Sequence, residues 1–150
     1  TLDGVSFTFL SPVDQYADMM QKQMTGRVLN DSSLVFMMTY GEIKVLFCGD
    51  MTRMAEWDLI ERYGDELKAD LIKIGHHGSV DASSREFVQT VAAQNSVMCI
   101  YAFNDFSIYD RYKKVGNRPY VTSIDGCVLY VTDGEQESFY TEKERKGALK

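Results

Sequence analysis

Both histidines of this 150-residue chain stand side by side in Ile72-Lys73-Ile74-Gly75-His76-His77-Gly78-Ser79. An imidazole can ligate a divalent metal or carry a proton near neutral pH, so whatever chemistry the chain performs is concentrated there. The preceding residues 69–74 read as a short buried strand, apolar and bounded by glycine. The histidines then lie at the strand's carboxyl end, where open α/β sheets place their ligands. Neighbouring residues on a strand face opposite ways, so both rings reach one site only if Gly75 and Gly78 bend the chain. One site histidine is the simpler expectation.

Asp50 is the second chemical candidate. It follows an apolar run, Val45-Leu46-Phe47-Cys48, and a glycine, so its carboxylate emerges at a sheet edge. Alone it reads equally as a helix N-cap. The layout strand-Gly-Asp-helix-strand-Gly-His-His-Gly adds weight to the other reading. Two successive strand ends deliver an oxygen and a nitrogen donor to one rim, a combination suited to zinc or manganese.

The elements that position these residues alternate. Residues 5–10 have period-two alternation and stop at Ser11-Pro12; 13–29 are polar with little periodicity and read as loop with some helix. Residues 33–40 and 43–48 flank Gly41-Glu42 as a β-hairpin. In 51–63, Ala55, Leu59, Ile60 and Tyr63 recur at helical spacing, with Gly64 after the end. Ser83-Ser84-Arg85-Glu86 is a capping-box pattern for a second helix starting at Ser83 that buries Phe87, Val88, Val91 and Ala92. Residues 96–102 read as a buried strand, 107–115 as a helix through Ile108, Tyr112 and Val115, and 120–122, 127–132 and 138–141 as the last strands. The charged residues 142–150 are expected to fray.

Composition narrows the class. With 45% hydrophobic and 25% charged residues the chain is expected to be one domain, 1–150, with one sizeable core. A formal charge of −6 disfavours a broad basic face for duplex nucleic acid, though not a phosphodiester held through metal. No run approaches the roughly 18 apolar residues of a membrane span, and the first residues lack the basic start and apolar core of a signal peptide. The compartment is not readable from these features. Cys48, Cys99 and Cys127 are widely spaced, form no CxxC pair, and read as buried free thiols.

Taken together, Asn30-Asp31-Ser32-Ser33-Leu34-Val35, Cys48-Gly49-Asp50, and residues 67–79 followed by Ser83-Ser84 resemble the second half of the metallo-β-lactamase-like domain of the ComEC competence protein and related predicted hydrolases. The order and spacing match over roughly residues 5–134. The resemblance implies an α/β fold: the C-terminal half of an αββα sandwich, a mixed β-sheet with covering helices. It makes Asp50 the aspartate that bridges two metal ions, zinc or manganese, and His76 the terminal histidine ligand, with His77 as its alternative. Asn30 and Ser79 match recurrent positions that shape the site; as turn residues they can equally cap backbone groups.

The chain departs from the family in two respects. Nothing in it matches the family's His-x-His-x-Asp-His cluster, which lies in the first half of the domain. Where the family often has Gly-His-Pro, this chain reads Asn104-Asp105-Phe106-Ser107. The implied reaction is metal-assisted hydrolysis of a phosphodiester or similar ester, nucleic acid among the candidates, completed by an N-terminal half acting as partner. The alternative is a non-catalytic binding or scaffold domain that keeps the fold. Half a sandwich leaves surface to cover, so a homo-oligomer is expected of this chain alone.

Overall fold

The computed structural model describes residues 1–12, 18–19, 21–22, 24–102 and 104–145. Six strands form one mixed sheet in chain order: β1 (Val5–Ser11), β2 (Val35–Tyr40), β3 (Ile43–Phe47), β4 (Leu71–Lys73), β5 (Asn95–Met98) and β6 (Arg118–Val121). The first three pair antiparallel and the last four parallel, β3 belonging to both sets. Helices α1 (Gly26–Asp31), α2 (Arg53–Tyr63), α3 (Arg85–Val91), α4 (Ser107–Lys114) and the single turn α5 (Thr122–Asp125) lie between strands, and a hairpin of β7 (Val128–Thr132) and β8 (Glu137–Thr141) follows. This is the mixed α/β architecture expected from the alternating pattern.

The sheet's two faces are set by the period-two alternation of its strands. One face carries Val35, Met37, Leu46 and Ile72 into the main core, where they meet Ala55 and Leu59 of α2, Phe87 and Val91 of α3, and Ile108 and Tyr112 of α4. The other buries Ile43, Val45 and Leu71, with Tyr130 and Phe139 of the hairpin packed against them. Phe139 stacks on Tyr120 of β6 with ring centroids 4.6 Å apart. The hairpin is tied to the β2–β3 turn, where the Glu42 amide donates to the Gly134 carbonyl at 2.7 Å. Gly41 has φ +57° there, and a side chain would run into the Gly134 backbone.

The expected hairpin at Gly41-Glu42 and the helix ending at Gly64 are present. Several details differ. The cap of α3 is Ser84, whose hydroxyl accepts from the Phe87 amide, so the anticipated box beginning at Ser83 does not form. Ala92 is exposed and Ala93 is buried in its place, because Ala92 takes the left-handed conformation that ends α3. Val115 is also exposed, lying beyond the last turn of α4. Of the three free thiols only Cys48 is buried; Cys127 is exposed. Burial pushes the Cys48 thiol far up, so it stays protonated.

The tail does not fray at residues 142–145. Arg145 donates through Nε and a terminal nitrogen to the two carboxylate oxygens of Asp125, each at 2.6 Å, and Glu142 accepts from the Cys127 amide at 2.9 Å. A buried carboxylate needs such a partner, and Asp125 is fully buried. Part of the segment 13–29, expected to be loop with some helix, and residues 146–150 lie outside the described residues.

Candidate functional site

Strands β3 and β4 are parallel neighbours, with Val45 opposite Leu71 and Phe47 opposite Lys73. Cys48-Gly49-Asp50 and Ile74-Gly75-His76-His77 therefore leave the sheet at the same rim. Gly49 has φ +53°, and a Cβ there would stand 2.7 Å from the Ser33 side chain. That close approach lets the Ser33 hydroxyl accept from the Asp50 amide at 2.9 Å. On the far side of Asp50, buried Asp31 accepts from the Thr52 amide at 2.9 Å and its hydroxyl at 2.7 Å. The Gly49 carbonyl accepts from the His76 amide and from Lys73 Nζ, each at 3.1 Å. The loop bearing Asp50 is thus held from α1, from β4 and from the histidine turn.

The histidine turn is unusual backbone. His76 (φ 44°, ψ 43°) and His77 (φ 54°, ψ 22°) are consecutive left-handed residues, a conformation that L side chains resist. It breaks the strand alternation, and both rings stay at the rim. His77 Nδ1 lies 2.7 Å from the Cys99 carbonyl. A carbonyl can only accept, so Nδ1 carries a proton, and in the tautomer with that single proton Nε2 presents a lone pair. That Nε2 faces Asp50 Oδ1 at 3.4 Å. Two acceptors in that relation need a cation or a shared proton between them. The spacing fits two donors on one tetrahedral zinc, whose bonds of roughly 2.0–2.2 Å leave ligand atoms about 3.4 Å apart.

His76, the preferred terminal ligand with His77 as its alternative, makes other contacts. Its Nδ1 is 3.0 Å from Asp81 Oδ1 and its Nε2 is 3.4 Å from the Asn30 amide nitrogen. Ser79 donates its backbone amide to the His76 carbonyl at 2.8 Å. All five residues singled out in the sequence therefore gather at one rim, with His77 rather than His76 against Asp50. Burial works against ionisation of Asp81, but the Ser79 side chain and the charge and hydrogen bond of His76 outweigh it and hold the carboxyl below its ordinary value. His77 also lines an open cleft of about 730 Å³ with Ile100, Tyr101, Ser123 and Lys143.

Asp81 and Glu56 escaped the sequence reading, and Asp31, though part of the motif at Asn30, had no role in it. Asp81 lies five residues after His76 in the same loop, which was the available signal. Glu56, on α2, is 1% exposed and accepts from the backbone amides of Ser83 and Ser84, the latter at 2.8 Å. Burial pushes its carboxyl up, against the hydrogen bonds from Ser84 and Ser83 that lower it. It fixes the end of the loop that carries Asp81. In Asn104-Asp105-Phe106-Ser107, Asp105 accepts from the Ser107 amide at 2.7 Å just before α4. Among the described residues no group of three or more His, Cys, Asp or Glu side chains is placed to hold a metal.

No family model matches the chain. It is 32% identical over 69 residues to ComE operon protein 3 of Bacillus subtilis (strain 168), covering 46% of the chain and 9% of that protein. It is 32% identical over 95 residues to Competence protein ComA of Neisseria gonorrhoeae, covering 63% and 12%. It is 29% identical over 75 residues to the uncharacterized protein YcaI of Escherichia coli (strain K12), covering 50% and 10%. The similarity supports a relationship to competence proteins, and the chain spans about a tenth of the length of these relatives. No helix among the described residues is long and apolar enough to cross a membrane.

Proposed function

We propose that the chain is the C-terminal half of a metallo-β-lactamase-type, metal-dependent hydrolase serving competence. Its substrate is a phosphodiester or similar ester, nucleic acid being the candidate that a competence role suggests. The observation that carries this reading is the approach of His77 Nε2 to Asp50 Oδ1 at 3.4 Å, with His77 Nδ1 held by a carbonyl. Metal-ligating histidines usually donate the other ring N–H to a carboxylate, a backbone carbonyl or water, and the Cys99 carbonyl is such a partner.

Asp50 and His77 would hold the zinc or manganese, and a histidine-bearing N-terminal half would supply the remaining donors. A divalent ion bound there would supply Lewis-acid chemistry, polarising the ester and lowering the pKa of water. The chain's own part is positioning. Ser33 and Asp31 fix the Asp50 loop, the Cys99 carbonyl sets the His77 tautomer, and Asp81 and Asn30 hold His76. His76 thereby acts through the turn it shares with His77.

The test is zinc and manganese calorimetry on the full-length protein, with hydrolysis of a chromogenic phosphodiester as a second readout. Asp50→Ala and His77→Ala should weaken metal binding by about a hundredfold, and His76→Ala by about tenfold, the scale of an outer-shell loss. A full-length protein that binds neither metal would return the chain to the scaffold reading.

A further inference from the structure

The loop that brings Asp81 to His76 also organises a second concave site. Its Val80 carbonyl accepts from an Arg53 terminal nitrogen at 2.6 Å, and its Ser83 carbonyl accepts from Arg111. Among the described residues each guanidinium makes that one hydrogen bond, which leaves its other N–H groups to a ligand. A carbonyl orients a guanidinium without neutralising it. With Arg85, the first residue of α3, the two arginines line a cavity of about 280 Å³ together with Trp57, Ser84 and Glu86. The lining sets three guanidiniums against one carboxylate, with buried Glu56 coupled to Arg53 from behind, so the hollow is cationic in a chain of formal charge −6.

The aromatic wall is equally specific. Trp57 is the chain's single tryptophan and is 52% exposed. It stands four residues after Arg53 on α2, so both side chains project from one face of that helix. Through Arg85 and Arg111 the cavity continues into a second hollow of about 520 Å³ between α3 and α4, where Lys114 adds another cation and Asp110 an acid. Guanidinium forks match phosphate oxygens, and an exposed indole offers a face to a flat ring.

We propose that Arg53, Arg85, Arg111 and Trp57 form a nucleotide-binding site, with the phosphate on the guanidiniums and the base against Trp57. The site shares no side chain with the Asp50–His77 pair and does not depend on metal there. The ligand's chemistry is common to a free nucleotide and to the phosphorylated end of a strand.

Trp57 fluorescence on the metal-free chain reads this directly. AMP should quench it saturably at submillimolar concentration, adenosine should not, and inorganic phosphate should compete with AMP while quenching less. Arg85→Ala removes an exposed side chain and should weaken AMP about tenfold, the loss of one charge-assisted contact. Arg62→Ala, at the far end of α2, should leave binding unchanged. A 5′-phosphorylated oligodeoxyadenylate distinguishes the two sources: binding stronger than AMP assigns the strand end, weaker binding the free nucleotide. No saturable AMP response at millimolar concentration, or equal responses in wild type and Arg85→Ala, overturns the proposal.

Discussion

His77 occupies a left-handed conformation that costs an L side chain about 1–2 kcal/mol, and it is kept there by a bond from its ring to a carbonyl on the neighbouring strand end. The strain and the bond are separable by substitution. Both His77→Ala and His77→Gly lose the ring, but only glycine also relieves the backbone. His77→Gly should therefore be more stable than His77→Ala by about 1 kcal/mol in urea denaturation, the reverse of their usual order within regular structure. Equal stabilities would mean that the turn relaxes when the ring is removed. The same backbone explains why the sequence left the choice between the histidines open. Nothing in the types His76 and His77 encodes two successive positive φ values, and strand alternation admits only one of the two rings.

At the scale of elements, residues 142–145 form a structural clasp. Arg145 reaches from beyond β8 to Asp125 in the turn after β6, and also donates to the Pro119 carbonyl. Asp125 accepts from the Val121 amide at 2.6 Å as well, so its charge is fully enclosed. Arg145→Ala leaves that charge buried and unpaired, and should destabilise the fold by about 3–5 kcal/mol in urea melts. The double variant Arg145→Met with Asp125→Asn should recover much of the loss; a single-variant cost under about 1 kcal/mol would show the clasp to be a surface pair. The clasp was illegible because a charged terminal run reads as solvated, and its partner is 20 residues away. Elements governed by local chemistry were legible: Gly41-Glu42 set the hairpin, and the spacing of Ala55 and Leu59 set α2. Glu56, one residue after Ala55, breaks that pattern because two loop amides require its carboxylate inside.

Across the whole molecule the two faces of the sheet are unequally covered. Helices seal one, while on the other the β7–β8 hairpin packs over the buried residues of β3 and β4 and against β6. Toward β1 the second face carries Phe7, Phe9, Phe36 and Phe47, with Phe36 stacked on Phe47 at 4.7 Å and Phe7 and Phe9 each 6.0 Å from Phe36. Phe9 is 63% exposed and Phe7 44% exposed, and β1 is an edge strand of the sheet among the described residues. An apolar row beside an open strand edge is a surface that associates. In the half-domain reading its natural cover is the second sheet of the sandwich. In this chain alone the available cover is another copy, which is why association follows from the same reading. Light scattering after size exclusion should find the chain dimeric or larger, and Phe7→Thr with Phe9→Thr should return it to monomer with unchanged far-ultraviolet circular dichroism, since threonine keeps the β preference of the strand. A wild-type chain that stays monomeric at high concentration would mean that this face tolerates water as it stands, and the argument for a missing half would then rest on the Asp50–His77 pair alone.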